Sequence, residues 1–149
     1  MNMNFAGGDN KNNGFSLVEL AVVIAIMAIL VGVLAPAYLR YVEKARRQID
    51  DSAAGEILRA AETVVLSGGF ILENGDVLVT FNSAGISVMQ GDIGNALQNS
   101  LKADFGDLSK VVPTSKLRKT QTYSVEIIAP TDGNDFTPQI VGSWDGPDE

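Results

Sequence analysis

Hydrophobic and polar positions alternate in two distinct ways along the first half of the chain. From Phe15 to Leu39 there are 25 residues and one charge, Glu19. A helix of about 20 apolar residues crosses a bilayer, so this run predicts a membrane-spanning helix. Beyond Leu39 the chain turns polar but keeps a helical beat. Val42, Ala45, Ile49, Ala53, Ile57, Ala61 and Val64 recur at steps of three and four, which predicts one apolar stripe. Glu43–Arg47, Arg46–Asp50 and Arg47–Asp51 fall at i,i+4 and are assigned to the opposite, solvent face. Ser67-Gly68-Gly69 supplies the glycines that commonly end a helix. One helix from Phe15 to Ser67 would be about 80 Å long. Residues 1–14, with five Asn and three Gly and no periodicity, read as a flexible leader.

The pattern changes again after residue 69. In "FILENGDVLVTF", Asn74-Gly75 sits between two apolar runs, which predicts a hairpin. "QTYSVEIIAP" and "FTPQIVGSW", joined by "TDGND", predict a second antiparallel pair. Between them, Ile93, Ala96, Leu97 and Leu101 predict a short helix. The expected fold class is α+β: a long N-terminal hydrophobic and then amphipathic helix packed against a small antiparallel β-sheet head. The expected divisions are a leader at 1–14, a transmembrane helix at 15–39, its amphipathic second half at 40–67, and a β head at 70–149.

Composition narrows the chemistry. The chain of 149 residues has 11 Lys and Arg against 18 Asp and Glu, a net charge of −7, which argues against general duplex DNA binding. It contains neither Cys nor His. That removes the Ser-His-Asp triad, the Cys nucleophile and zinc sites of the usual ligands, and it leaves no disulfide to staple the head. No catalytic residues are expected, and the chain is not read as an enzyme.

Glu19 is the side chain that needs a reason. A plain signal anchor with its carboxylate near the membrane surface is one reading. A cleavable secretory signal ending at Ala35-Pro36-Ala37 is another, but its apolar core would be too long and its n-region has only Lys11. The third rests on Gly14 followed by Phe15, Ser16, Leu17, Val18 and Glu19. "GFSLVEL" before an unbroken apolar helix resembles the class III signal of type IV pilins and pseudopilins, and Pro36 deep in the helix is also a habit of that family. The resemblance covers residues 14 to about 66.

That resemblance implies cleavage after Gly14 and N-methylation of Phe15 by a prepilin peptidase. It implies that Glu19 of an incoming subunit meets the Phe15 amine of a subunit already in the fibre, and so fixes register. Isolated in hydrocarbon, a carboxylate costs about 2.5–3.5 kcal/mol at a helix centre on insertion scales. An α-amine, cationic at neutral pH, is a natural partner. Ala21, Ala25, Ala28 and Gly32 allow close helix approach. Gly32 and Pro36 weaken backbone hydrogen bonding within one turn of each other, a place for local melting or a kink in the fibre. Implied partners are identical and related pilin subunits, the prepilin peptidase, a pilus assembly platform, and membrane lipid before assembly.

Some features pull the other way. Leaders of this family are usually basic, and this one has one Asp and one Lys. Arg40, Lys44, Arg46 and Arg47 follow the apolar run, on the unfavoured side of the positive-inside rule for a cytoplasmic N-terminus. Asp132, Asn134 and Asp135 offer clustered oxygens for calcium, although such residues are also what tight turns use, and no cofactor is otherwise expected. Lys110, Lys116, Arg118 and Lys119 form a basic stretch, read as a solvated edge meeting an acidic neighbour rather than as a nucleic-acid site. Trp144 is read as a packing residue. The expected function is a prepilin, single-pass in the cytoplasmic membrane with its N-terminus inside. Once processed, it would polymerise into an extracellular type IV pilus-like filament for adhesion, motility or DNA uptake. The alternatives are a pseudopilin of a type II secretion system and a membrane-anchored binding module.

Overall fold

The computed structural model describes residues 15–68, 73, 75–128 and 139–147. Two compact units divide it, Met1–Arg40 and Tyr41–Glu149. Helix α1 is Leu17–Gly68, with Pro36 inside it. It contains a stretch long and apolar enough to cross a membrane, and no residue of that stretch is buried. Such a surface needs lipid or another protein around it.

The second unit is an α+β head built on the part of α1 that begins at Tyr41. Strands β1 (Val77–Asn82), β2 (Gly85–Val88), β3 (Tyr123–Ile128) and β4 (Gln139–Trp144) form one antiparallel sheet in the order β2-β1-β3-β4. Helix α2 (Asp92–Phe105) covers the expected short helix and buries Ile93, Leu97 and Leu101. The β3–β4 pair is the predicted second hairpin. Its "TDGND" connection lies outside the described residues. Ile57, Ala61 and Val64 of α1 share one core with Leu78, Val79, Phe81, Val125 and Ile127 of the sheet. Alternation of buried and partly exposed positions along β3 is what a strand covered on one face requires.

Among the described residues the first hairpin is β1–β2, which the sequence reading did not single out. From Val79 onward, β1 has β2 on one edge and β3 on the other. Its hairpin partner is β2, reached through Ser83-Ala84, where Asn82 Oδ1 accepts from the Ala84 N–H at 2.9 Å. At the Asn74-Gly75 signal the Asp76 N–H donates to Glu73 O at 3.2 Å, as the expected turn requires, and the Gly75 N–H donates to Ile127 O at 2.8 Å, extending the pairing with β3. Asn74 and the run expected at 70–72 lie outside the described residues.

The helix face also differs from expectation. Ile49, placed in the apolar stripe, is 61% exposed, whereas Asp50 is 2% exposed. Asp50 Oδ1 accepts from Thr114 N (2.8 Å) and Thr114 Oγ1 (3.0 Å), and Oδ2 accepts from Ser115 N (2.8 Å). Glu43 Oε1 accepts from Lys116 N. The acids assigned to a solvent face therefore hold the loop around Pro113 and Ser115 against the helix. A buried carboxylate is tolerable there because peptide N–H and hydroxyl donors replace its water.

Arg118 departs furthest from the solvated edge expected of the basic stretch. It is buried, with Nη2 2.9 Å and Nε 3.0 Å from Asp51 Oδ1 and Nη1 2.8 Å from Gln121 Oε1. Its guanidinium lies 4.5 Å from the Trp144 ring centroid. Trp144 packs as expected, at 5.7 Å from the Phe81 ring and 5.3 Å from the Tyr123 ring. Gly142 on β4 makes room for this cluster, since a Cβ there would sit 1.9 Å from the Tyr123 hydroxyl. Just beyond β4, the Asp145 N–H donates to Thr122 O at 2.9 Å and its carboxylate accepts from the Thr122 N–H. The last strand is thus fastened by an aromatic and cationic cluster in a chain that has no cysteine.

Candidate functional site

The start of α1 brings together three of the residues singled out by sequence. Phe15 is 89% exposed. Ser16 precedes the first helical residue, and its hydroxyl accepts from the Val18 N–H at 3.3 Å. Glu19 reaches back, and its Oε2 accepts from the Ser16 N–H at 2.8 Å. Ser16-Leu17-Val18-Glu19 is therefore a capping box, in which side chains at both ends of the first turn satisfy N–H groups that the helix leaves unpaired. The carboxylate also lies at the positive end of the helix dipole. S-x-x-E before an apolar run is visible in the sequence, and this local role is an addition to the docking role expected of Glu19.

The geometry places the carboxylate one peptide unit from the Phe15 nitrogen. Hydrolysis of the Gly14–Phe15 bond would turn that nitrogen into a cation beside Glu19. Gly14 itself lies outside the described residues. Gly32 and Pro36 lie within the continuous helix, and a Cβ on Gly32 would meet nothing within 4 Å. That open surface suits close approach by another helix.

Asp132, Asn134 and Asp135 lie outside the described residues. Among the described residues, no three carboxylates cluster as a metal site would require. Lys110 pairs with Asp107 at 2.9 Å, both exposed. The Asp107 carboxyl is held below its ordinary range by its hydrogen bond from Ser109 and its contact with Lys110. What the sequence reading missed is the set of helix acids, Glu43, Asp50 and Asp51, that binds the 114–118 loop.

Comparison with known proteins agrees with the motif. The family described as "Prokaryotic N-terminal methylation motif" matches residues 9–35. The chain is 26% identical to "Prepilin peptidase-dependent protein A" of Clostridium perfringens, over 91% of this chain and 89% of that one. It is 30% identical to a "Type IV major fimbrial protein FimA" of Dichelobacter nodosus over 62% of this chain, spanning 56% of that protein's length. A second FimA of the same organism matches at 30% over 60% of the chain and 54% of its own length. No solved structure gives a significant match.

A glycine before an aromatic, a carboxylate in the first helical turn and an unburied apolar helix define a precursor carrying a class III signal. The chain carries the N-terminal methylation motif and is similar to proteins named as a prepilin peptidase-dependent protein and as type IV fimbrial subunits.

Proposed function

We propose that this chain is a prepilin. It is cut after Gly14 and N-methylated on Phe15 by a prepilin peptidase, held in the membrane by residues 15–39, and then polymerised into a surface filament. The observation that supports this reading is the capping box that holds the Glu19 carboxylate on the Ser16 N–H, one peptide unit from the Phe15 nitrogen. After cleavage, a free subunit screens its own amine with Glu19 while both lie in hydrocarbon. On docking, the carboxylate meets the amine of the preceding subunit, and the apolar helix exchanges lipid for copies of itself. Register follows, because any offset leaves a charge unpaired, as with a buried polar residue in a coiled coil. Gly32 and Pro36 are where the helix would loosen as neighbours pack. The head, with its α1 platform, forms the outer surface. Assembly of this kind needs no cofactor and no catalysis by the subunit.

Intact-mass analysis of membrane-extracted protein tests the reading. The expected mature chain begins at Phe15 and carries one added methyl group. A start at Met1 would support the plain anchor, and a start at Tyr38 the secretory signal. A pseudopilin shares the same signal and helix, and a polymer outside the cell separates the two.

A further inference from the structure

The apolar run is followed by a cluster of cations, three of which have no partner among the described residues. Four of the chain's 11 basic residues fall at Arg40, Lys44, Arg46 and Arg47, with only Glu43 among them. Glu43 is already engaged by the Lys116 N–H. Arg40, Lys44 and Arg46 are exposed, and among the described residues none of the three has an ion pair or hydrogen bond. By contrast, residues 70–149 hold 11 acids and five bases. An acidic head beside a bilayer with anionic lipids is repelled by it. The positive charge is gathered where the chain leaves the apolar run.

We infer that Arg40, Lys44 and Arg46 form a headgroup-binding collar for anionic phospholipid in the leaflet at the C-terminal end of the membrane segment. This rests on the membrane-held precursor proposed above. A run of 25 residues spans about 37 Å as a helix, more than the roughly 30 Å hydrocarbon core, so Arg40 emerges at the lipid–water boundary. Lys44 and Arg46 follow within seven residues of Leu39, about 10 Å of helical chain. That keeps all three within about a Debye length, ~8 Å at physiological salt, of the phosphate layer. Each basic residue near such a surface contributes about a fivefold preference for anionic lipid. The collar thus holds the subunit at a fixed depth until it is lifted into the filament, and it accounts for cations that run against the positive-inside rule.

The full chain reconstituted into mixed phosphatidylglycerol and phosphatidylcholine vesicles provides the test. Spin-labelled lipids report which lipid contacts the protein, and alkaline carbonate extraction reports whether it stays inserted. The native chain should prefer the phosphatidylglycerol probe by at least about fivefold, the contribution of a single residue, falling toward parity in 1 M salt, where the screening length is ~3 Å. The triple variant Arg40→Gln, Lys44→Gln, Arg46→Gln should stay inserted and show parity, whereas Arg40→Lys with Arg46→Lys should keep the preference. Insertion without any lipid preference in the native chain would overturn the collar alone. A triple variant that keeps the preference but loses self-association would overturn it too, and would assign the cations to acidic heads of neighbouring copies. Release of the native chain by carbonate would overturn the membrane reading and the collar together.

Discussion

Replacing Asp50 should do more damage than its place on a polar-looking helix suggests. Asp50→Ala removes the acceptor for the Ser115 N–H, in a residue with no exposed surface, and for the N–H and hydroxyl of Thr114. A buried donor left unsatisfied costs about 1–3 kcal/mol, and bonds to charged groups lie at the upper end. Ser115 should bear that cost in full, while Thr114, which is exposed, recovers much of its share from water. The expected loss is about 3–4 kcal/mol. For a unit of this size about 4 °C of melting temperature corresponds to each kcal/mol, so the midpoint should fall by roughly 12–16 °C. Asp50→Asn keeps one oxygen for Thr114 but turns an amide N–H toward Ser115, and should lose about half as much. The assay is thermal unfolding of residues 41–149 followed by circular dichroism. Asp107 is the control, because it also accepts from Ser109 N and Oγ and pairs with Lys110, but at the surface. Asp107→Ala should leave the midpoint nearly unchanged, since water substitutes for each bond. If Asp50→Ala melts within about 1 kcal/mol of the native unit, or no lower than Asp107→Ala, the claim that burial sets the worth of these bonds is wrong.

Other consequences can be checked in parallel. A bulky residue in place of Gly14 should leave uncut precursor in the membrane, visible as a larger band on immunoblot. Glu19→Ala should still be cut but enter sheared filaments poorly, because losing one member of a buried charge pair costs about 3–5 kcal/mol; Glu19→Gln should fall between it and the native chain, and filaments of normal yield from Glu19→Ala would remove the docking role. Tyr123 has its pKa raised by burial and secondarily by Glu62, so it should ionise above the ordinary tyrosine value in an ultraviolet titration of residues 41–149. Because the folded pKa lies above the unfolded one, the stability it confers is complete below about pH 10 and declines as pH rises through the folded value. Chelator should not move the melting temperature of the head, and a drop of several degrees would place a metal at Asp132 and Asp135.

Legibility followed the range of the interactions. The long apolar helix, the methylation motif and α2 were readable because each is set by residues a few positions apart: an apolar run, a fixed motif, a stripe through Ile93, Leu97 and Leu101. The β3–β4 hairpin was readable for the same reason. β2 was not, because Gly85–Val88 is four residues long and its only local signal is the turn at Ser83-Ala84. The inward face of α1 was misjudged by one position at Asp50. A helical wheel ranks side chains by polarity, and a carboxylate turns inward only if donors are supplied from elsewhere. Those donors come from Thr114 and Ser115, 64 and 65 residues away, and no periodicity within the helix announces them. The acidic neighbour expected of the basic stretch is there, as Asp51, but the burial of Arg118 was missed on the same ground, since Asp51 and Trp144 lie on two other elements.

The link between the helix acids and the 114–118 loop also sets an order of events during synthesis. Chains grow at about 5–20 residues per second, so between about 3 and 13 seconds separate the appearance of Asp50 from that of Ser115. Through that interval the apolar run is complete and free to enter a bilayer, while the surface of α1 that the head will cover has no lid. Closing a loop of this length carries an entropic penalty of about 4 kcal/mol, which the hydrogen bonds to Asp50 and Glu43 help to offset only once the loop exists. The apolar run is thus available to a bilayer before the head can close, and closure of the head is a late step of synthesis.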